Sequence, residues 1–105
     1  MNLMNQDVHI NVVGGLKINE TDLDLAICTA IISSLTNQTI PHETLILGEV
    51  GLGGEVRNIY KLEQRLQEAS KLGFKKAIIP NAEIKSNLKL IKIKNITELV
   101  EYIIK

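Results

Sequence analysis

Tryptophan is absent, and two tyrosines and one phenylalanine are the whole aromatic complement of 105 residues. The core must therefore come from Ile, Leu and Val, and a platform that stacks successive nucleic-acid bases on aromatic rings is excluded. The single cysteine, Cys28, cannot close an internal disulfide, which agrees with a reducing compartment, and no four-cysteine zinc set exists. No apolar run is long enough to cross a bilayer, and MNLMNQDVH lacks the basic-then-apolar pattern of a leader. A cytoplasmic protein without membrane contact is the expectation. No Gly-Lys-Ser/Thr follows any glycine, so a Walker phosphate loop is missing, and Gly14-Gly15 marks a plain turn.

Charge of either sign is not scarce, but it is unevenly spread. Residues 1–55 carry seven carboxylates against Lys17 alone, a net of −6; residues 56–105 carry eleven Lys or Arg against five Glu, a net of +6. An acidic surface and a basic one are implied. Three uses are compatible: a head-to-tail contact between copies that closes a ring, a basic face for nucleic-acid phosphates, or an unevenly charged solvated surface.

The length suits one domain with a modest core. Asp7–Val13 alternates polar and apolar residues, the period of a half-buried strand, with His9 on the polar phase. Residues 22–35 predict a helix whose apolar side chains wrap most of its circumference, so it is expected to be largely buried, with Thr21 as its cap. Cys28 then belongs to a core, where an apolar setting blunts a thiol. Pro41 and His42 lie in a polar connection. Thr44–Leu47 predicts a strand that enters the glycine-rich run GEVGLGGEVR, residues 48–57, a hairpin signature. Leu62, Leu66, Ala69 and Leu72 recur at the helical period, with Lys61, Arg65, Glu68 and Lys71 read as lying outside that stripe. Gly73 stops this helix, and Ala77-Ile78-Ile79 forms a short buried strand ended by Pro80. Leu88–Lys94 predicts an edge strand, and Asn95 or Thr97 caps a last helix over 96–104.

The blocks GEVGLGGEVR, LEQRLQEA and KLGFKKAIIP resemble the C-terminal Lon-protease-like domain of the bacterial RadA (Sms) DNA-repair proteins, over roughly residues 5–105. That resemblance implies an α/β (α+β) fold of the ribosomal protein S5 domain 2 type, a mixed sheet with helices at 22–35, 61–72 and 96–104. It also implies that residues 1–6 end a linker, that 7–105 are the domain, and that both belong to a larger protein. In Lon proteases a nucleophilic serine sits at the start of the first helix, in a Gly-Pro-Ser-Ala-Gly setting, and a lysine sits early in the later one. The corresponding positions here are Asp22, within Glu20–Asp24, and Glu63.

A Ser–Lys mechanism needs a hydroxyl nucleophile and an amine that takes its proton. With Asp22 and Glu63 neither role is filled, and loss of a nucleophile costs on the order of 10⁶ in rate. The expected catalytic set is empty. Asp22 is expected to cap its helix and Glu63 to pair with a base such as Lys17 or Arg65. A divalent-metal site shared by Asp22, Glu63 and Asp24 is the minor alternative, and no metal ligand set is expected.

By the same resemblance the parent is a DNA-dependent ATPase that forms hexameric rings and drives branch migration. Its ATP, magnesium and zinc would be held in upstream parts, leaving this domain without a cofactor. The leading expectation is a non-proteolytic scaffold that helps assemble the ring and offers Arg57, Lys61, Arg65, Lys75 and Lys76 to DNA phosphates without reading sequence. The alternatives are an oligomerisation module without DNA contact and, least favoured, an active Lon-type peptidase.

Overall fold

Helical and alternating apolar patterns become three helices and five short strands among residues 19–104, the part that the computed structural model describes. The expected strand at 7–13, its His9, the turn at Gly14-Gly15, Lys17 and the 1–6 segment lie outside the described residues.

A single 3-10 turn, Glu20–Leu23, leads into α1, Asp24–Thr36. The expected cap Thr21 is exposed; Asn19 starts the turn instead, its backbone N–H donating to Asp22 Oδ2 at 3.1 Å. Nor is α1 buried all round. Its inner face is Leu25, Ala26, Thr29, Ala30 and Ser33, while Ile27, Ile31 and Leu35 are 36%, 45% and 80% exposed. Small side chains let the helix approach the rest of the fold closely, and the bulky ones four residues apart are left on the outer face.

Three parallel strands form the sheet, in the order β1 (Thr44–Ile46), β4 (Lys76–Pro80), β5 (Lys89–Ile93). Leu45, Ile46, Leu47, Ala77, Ile78 and Ile79 are buried, the continuous apolar runs that a sheet covered on both faces requires. β2 (Glu49–Val50) and β3 (Val56–Arg57) make the predicted antiparallel hairpin, with Glu49 opposite Arg57 and Val50 opposite Val56. It stands apart from the sheet but is latched at both ends. Gly48 N–H donates to the Asp22 carbonyl and Leu25 N–H to the Gly48 carbonyl, both at 3.0 Å; Val56 N–H donates to the Lys94 carbonyl at 2.9 Å. A Cβ on Gly48 would lie 3.0 Å from Leu25 Cδ2, so a larger residue there would have to shift the Leu25 side chain.

α2, Leu62–Lys71, buries Leu62, Arg65, Leu66 and Ala69, positions at the i, i+3, i+4, i+7 spacing of one face. It ends in a Schellman motif: Phe74 N–H reaches the Ala69 carbonyl and Gly73 N–H the Ser70 carbonyl, both at 3.2 Å, with Gly73 at φ 99°. Residues 81–88 then return from β4 to β5 without a helix. α3, Ile96–Ile104, starts at Asn95, whose Oδ1 accepts the Glu98 N–H at 2.9 Å, so Asn95 rather than Thr97 is the cap. Leu99 and Ile103 of α3 complete the core.

The α/β class with three helices is as expected. Among the described residues the sheet itself is all parallel, and antiparallel pairing is confined to the hairpin and the single bridge Glu55–Asn95. No helix among them is long and apolar enough to cross a membrane. Two substitutions grade the fold. Ile78→Ala should cost about 2–5 kcal/mol, the range for emptying a packed site. Gly73→Ala should cost about 1–2 kcal/mol, because a Cβ is forced into a left-handed conformation. Urea denaturation of each variant checks both values and their order.

Candidate functional site

The two positions expected to correspond to a Lon dyad, Asp22 and Glu63, have opposite environments. Asp22 is buried at 3% exposure, on the 3-10 turn ahead of α1. Its Oδ2 accepts a hydrogen bond from Arg65 Nη1 at 2.8 Å, in an ion pair whose side chains are 5% and 1% exposed. The same oxygen accepts the Asn19 N–H, and the Asp22 carbonyl accepts the Gly48 N–H. One aspartate thus joins the 3-10 turn, α2 and the β1–β2 junction. Glu63, two residues before Arg65 and on a different face of α2, is exposed and makes no ion pair among the described residues.

Three expectations change with this pair. Arg65 is not part of an exposed basic face, because the burial stripe of α2 includes position 65. Lys61 does not share a helix face with Arg65 either: it precedes the helix in a left-handed conformation (φ 54°), with its ammonium 5.3 Å from the Tyr60 ring centre. Glu63 is not the partner of Arg65; Asp22 is. The alternative metal set is also dismantled. Asp22 faces Arg65, while Asp24 Oδ2 accepts the Val50 N–H at 3.2 Å and so pins the hairpin to α1. Among the described residues no group of three or more His, Cys, Asp or Glu is placed to hold a metal.

The signal for the buried pair was present in the sequence. Arginine at 65 stands three residues after Leu62 and four before Ala69, inside the apolar stripe. A guanidinium there must either reach the surface along its stem or meet a buried acid. Nothing local, however, identifies an acid 43 residues earlier as that partner.

Arg57 sits on β3 between two carboxylates, with Nη2 at 2.5 Å from Glu55 Oε2 and Nη1 at 3.5 Å from Glu49 Oε2. Its charge is largely matched within the hairpin. The Glu55 carboxyl lies below its ordinary range, held there first by hydrogen bonding from its own backbone amide and next by Arg57; the Arg57 guanidinium is shifted up by Glu55. At the hairpin tip, Leu52 is fully exposed. Cys28 is half-buried, and its thiol is pushed up by burial and then by Asp24, which keeps it in the unreactive form.

Lys75, just before β4, and Lys76, its first residue, are the remaining expected bases and make no ion pair among the described residues. Among the described residues a polar groove of about 490 Å³ lies between α2 and the 81–88 connection, lined by Glu63, Gln67, Ser70, Lys71, Lys85, Ser86 and Asn87.

Comparison with known proteins yields two kinds of match. A family model described as subunit ChlI of Mg-chelatase matches residues 1–83. Curated proteins named DNA repair protein RadA match at high identity. The one from Pseudomonas aeruginosa is 56% identical over 75 residues, 71% of this chain and 17% of its own length. The one from Halalkalibacterium halodurans is 43% identical over 107 residues, 96% of this chain and 23% of its own. The one from Chlamydia pneumoniae is 38% identical over 109 residues, 97% of this chain and 24% of its own. The chain therefore spans about a fifth of the length of these relatives.

Removing one member of the buried pair leaves the other charged and desolvated, so Asp22→Ala and Arg65→Ala should each cost about 3–5 kcal/mol. Asp22→Ala combined with Arg65→Ala should fall well short of the summed single losses. A double-mutant cycle by chemical denaturation measures the coupling, and additive losses would show that the pair is not a unit. In the hairpin, the Glu55 carboxyl should titrate below an ordinary glutamate by NMR and move back up in Arg57→Ala. Because the folded value is depressed, the contribution of Glu55 to stability is present above the unfolded value and is lost as pH falls through the folded one.

Proposed function

The chain belongs to the RadA family of bacterial DNA-repair proteins, corresponding to its C-terminal domain, and from that premise we propose that it is a non-proteolytic, Lon-like scaffold domain. In this reading it helps a RadA-type ATPase assemble its ring, a hexamer, and lends basic surface to sequence-independent DNA binding during branch migration. The observation that carries the reading is the buried Asp22–Arg65 pair. An aspartate at the serine position, engaged by a guanidinium, has no hydroxyl to attack a carbonyl, and an exposed Glu63 at the lysine position has no amine to take a proton. The position that would do chemistry instead fastens α2 to the turn ahead of α1.

Scaffolding is supported by the outer stripe of α1, where Ile27, Ile31 and Leu35 follow one another at four-residue spacing with substantial exposure. Isolated exposed apolar residues are ordinary, but three on one helical face suit a contact with another protein surface. DNA contact is supported by Lys75 and Lys76, whose ammonium groups carry no carboxylate partner among the described residues. A second reading, an oligomerisation module without DNA contact, draws on the matched charge of Arg57 and the burial of Arg65.

Casein and fluorogenic peptides should not be hydrolysed by this chain above the buffer rate. Asp22→Ser with Glu63→Lys should stay inactive, since the Asp22–Arg65 ion pair that fastens α2 to the turn ahead of α1 would be lost. Measurable turnover by the unaltered chain would sink the non-proteolytic assignment. For the scaffold role, a full-length RadA relative lacking the matching segment should sediment as species smaller than its ring; an intact ring would remove that role.

A further inference from the structure

The five bases expected to meet DNA do not form one surface. Arg65 is buried on Asp22, Arg57 is held between Glu49 and Glu55, and Lys61 lies over Tyr60. Lys75 and Lys76 remain, and the fold sets Lys89 beside them. In the parallel register of β4 and β5, Lys76 is directly beside Lys89, and Lys89 N–H donates to the Lys75 carbonyl at 3.0 Å. Like charges set side by side on a sheet repel one another, and a bound anion relieves that repulsion. Lys85 and Lys71 come from the two walls of the adjoining groove, whose rim residue Asn87 is two positions before Lys89.

Lys75, Lys76, Lys85 and Lys89 make no ion pair among the described residues, and Lys71 has only Glu68, at 3.3 Å on an exposed site. Of the carboxylates nearby, Glu63 lines the groove; Glu43 accepts the Lys75 N–H through its backbone carbonyl, at 3.0 Å. The groove also has the uncharged donors that suit phosphate oxygens. Gln67 and Asn87 offer amide N–H groups. Ser86 Oγ accepts the Leu88 N–H at 3.1 Å, which leaves its own O–H to donate elsewhere. No aromatic ring lines the groove, so it has nothing on which to stack a base.

The geometry points to this surface, the groove between α2 and the 81–88 connection together with the lysines at the starts of β4 and β5, as the one that takes the phosphodiester backbone of DNA. It rests on the DNA-binding reading above and moves that contact from the hairpin to the far end of α2. Each contact neutralises a phosphate and releases counterions, so binding is steeply salt-dependent and indifferent to base sequence.

The test is binding of the complete chain to a labelled mixed-sequence duplex of about 30 base pairs, titrated between about 50 and 200 mM salt. Lys85→Gln with Lys89→Gln should weaken binding by about tenfold at the lower salt and reduce the slope of log K against log salt by about 1.8, at about 0.9 per lost phosphate contact. Arg57→Gln with Lys61→Gln should leave affinity within about twofold, since those charges are matched or lie outside the surface. All four positions are exposed, and thermal melts verify that each variant folds. If the hairpin pair carries the slope and the Lys85/Lys89 pair does not, this assignment fails while the DNA reading stands. If the unaltered chain takes up no DNA at either salt, both fail. If Lys85→Gln with Lys89→Gln leaves DNA binding intact but changes the sedimentation of the chain, the face is a contact between copies, and the assignment is overturned.

Discussion

A guanidinium taken out of water needs an anion beside it, and that requirement organises this domain. Arg65 and Asp22 are separated by 43 positions and meet at 2.8 Å inside the protein. Around them converge the 3-10 turn, the first turns of α2, and the β1–β2 junction through the Asp22 carbonyl and Gly48. Desolvating two charges is expensive, and the attraction between them offsets that cost only when the geometry is good. The pair is therefore best understood as setting one arrangement of these elements rather than as a large net source of stability. Misplacing either element strands a charge in the core.

The turn that carries Asp22 also helps to hold the glycine-rich hairpin in position. The hairpin does not join the three-stranded sheet, so its place must be set by its ends. Gly48 ties one end to Asp22 and Leu25, Asp24 holds Val50, and Val56 meets Lys94 ahead of α3. The Glu49–Arg57–Glu55 ladder runs along the exposed side of the hairpin and matches charge there, worth little in energy but enough to neutralise the arginine locally. An element rich in glycine and carrying an exposed Leu52 is thereby held through backbone hydrogen bonds to its neighbours.

Much of the architecture was legible because it is written in short-range patterns. The hairpin run, the stop at Gly73, the buried Ala77-Ile78-Ile79 strand and the Asn95 cap each depend on residues within a few positions of one another, and each is found where the pattern implies. The misreadings share a cause. The face of α1 that is buried was obscured because its inner residues are small and partly polar, while its outer residues are Ile and Leu. Periodicity alone weights the large side chains and so points to a helix buried on every side. Arg65 departs from expectation because a charge suggests exposure, although its spacing from Leu62, Leu66 and Ala69 lies within the buried stripe.

What the sequence determined by itself is the α/β class, the element types, and the family resemblance carried by GEVGLGGEVR and KLGFKKAIIP. These follow from residue identity and local spacing. Only the tertiary structure decided which charges are free. Whether a lysine or arginine faces solvent, a carboxylate or another cation is a matter of which distant segments the fold brings alongside it. Arg65 gained Asp22, Arg57 gained Glu49 across the hairpin, and Lys76 gained Lys89 as a neighbour through the register of two parallel strands. Electrostatic energy depends on separation in space, and separation along the chain does not report it.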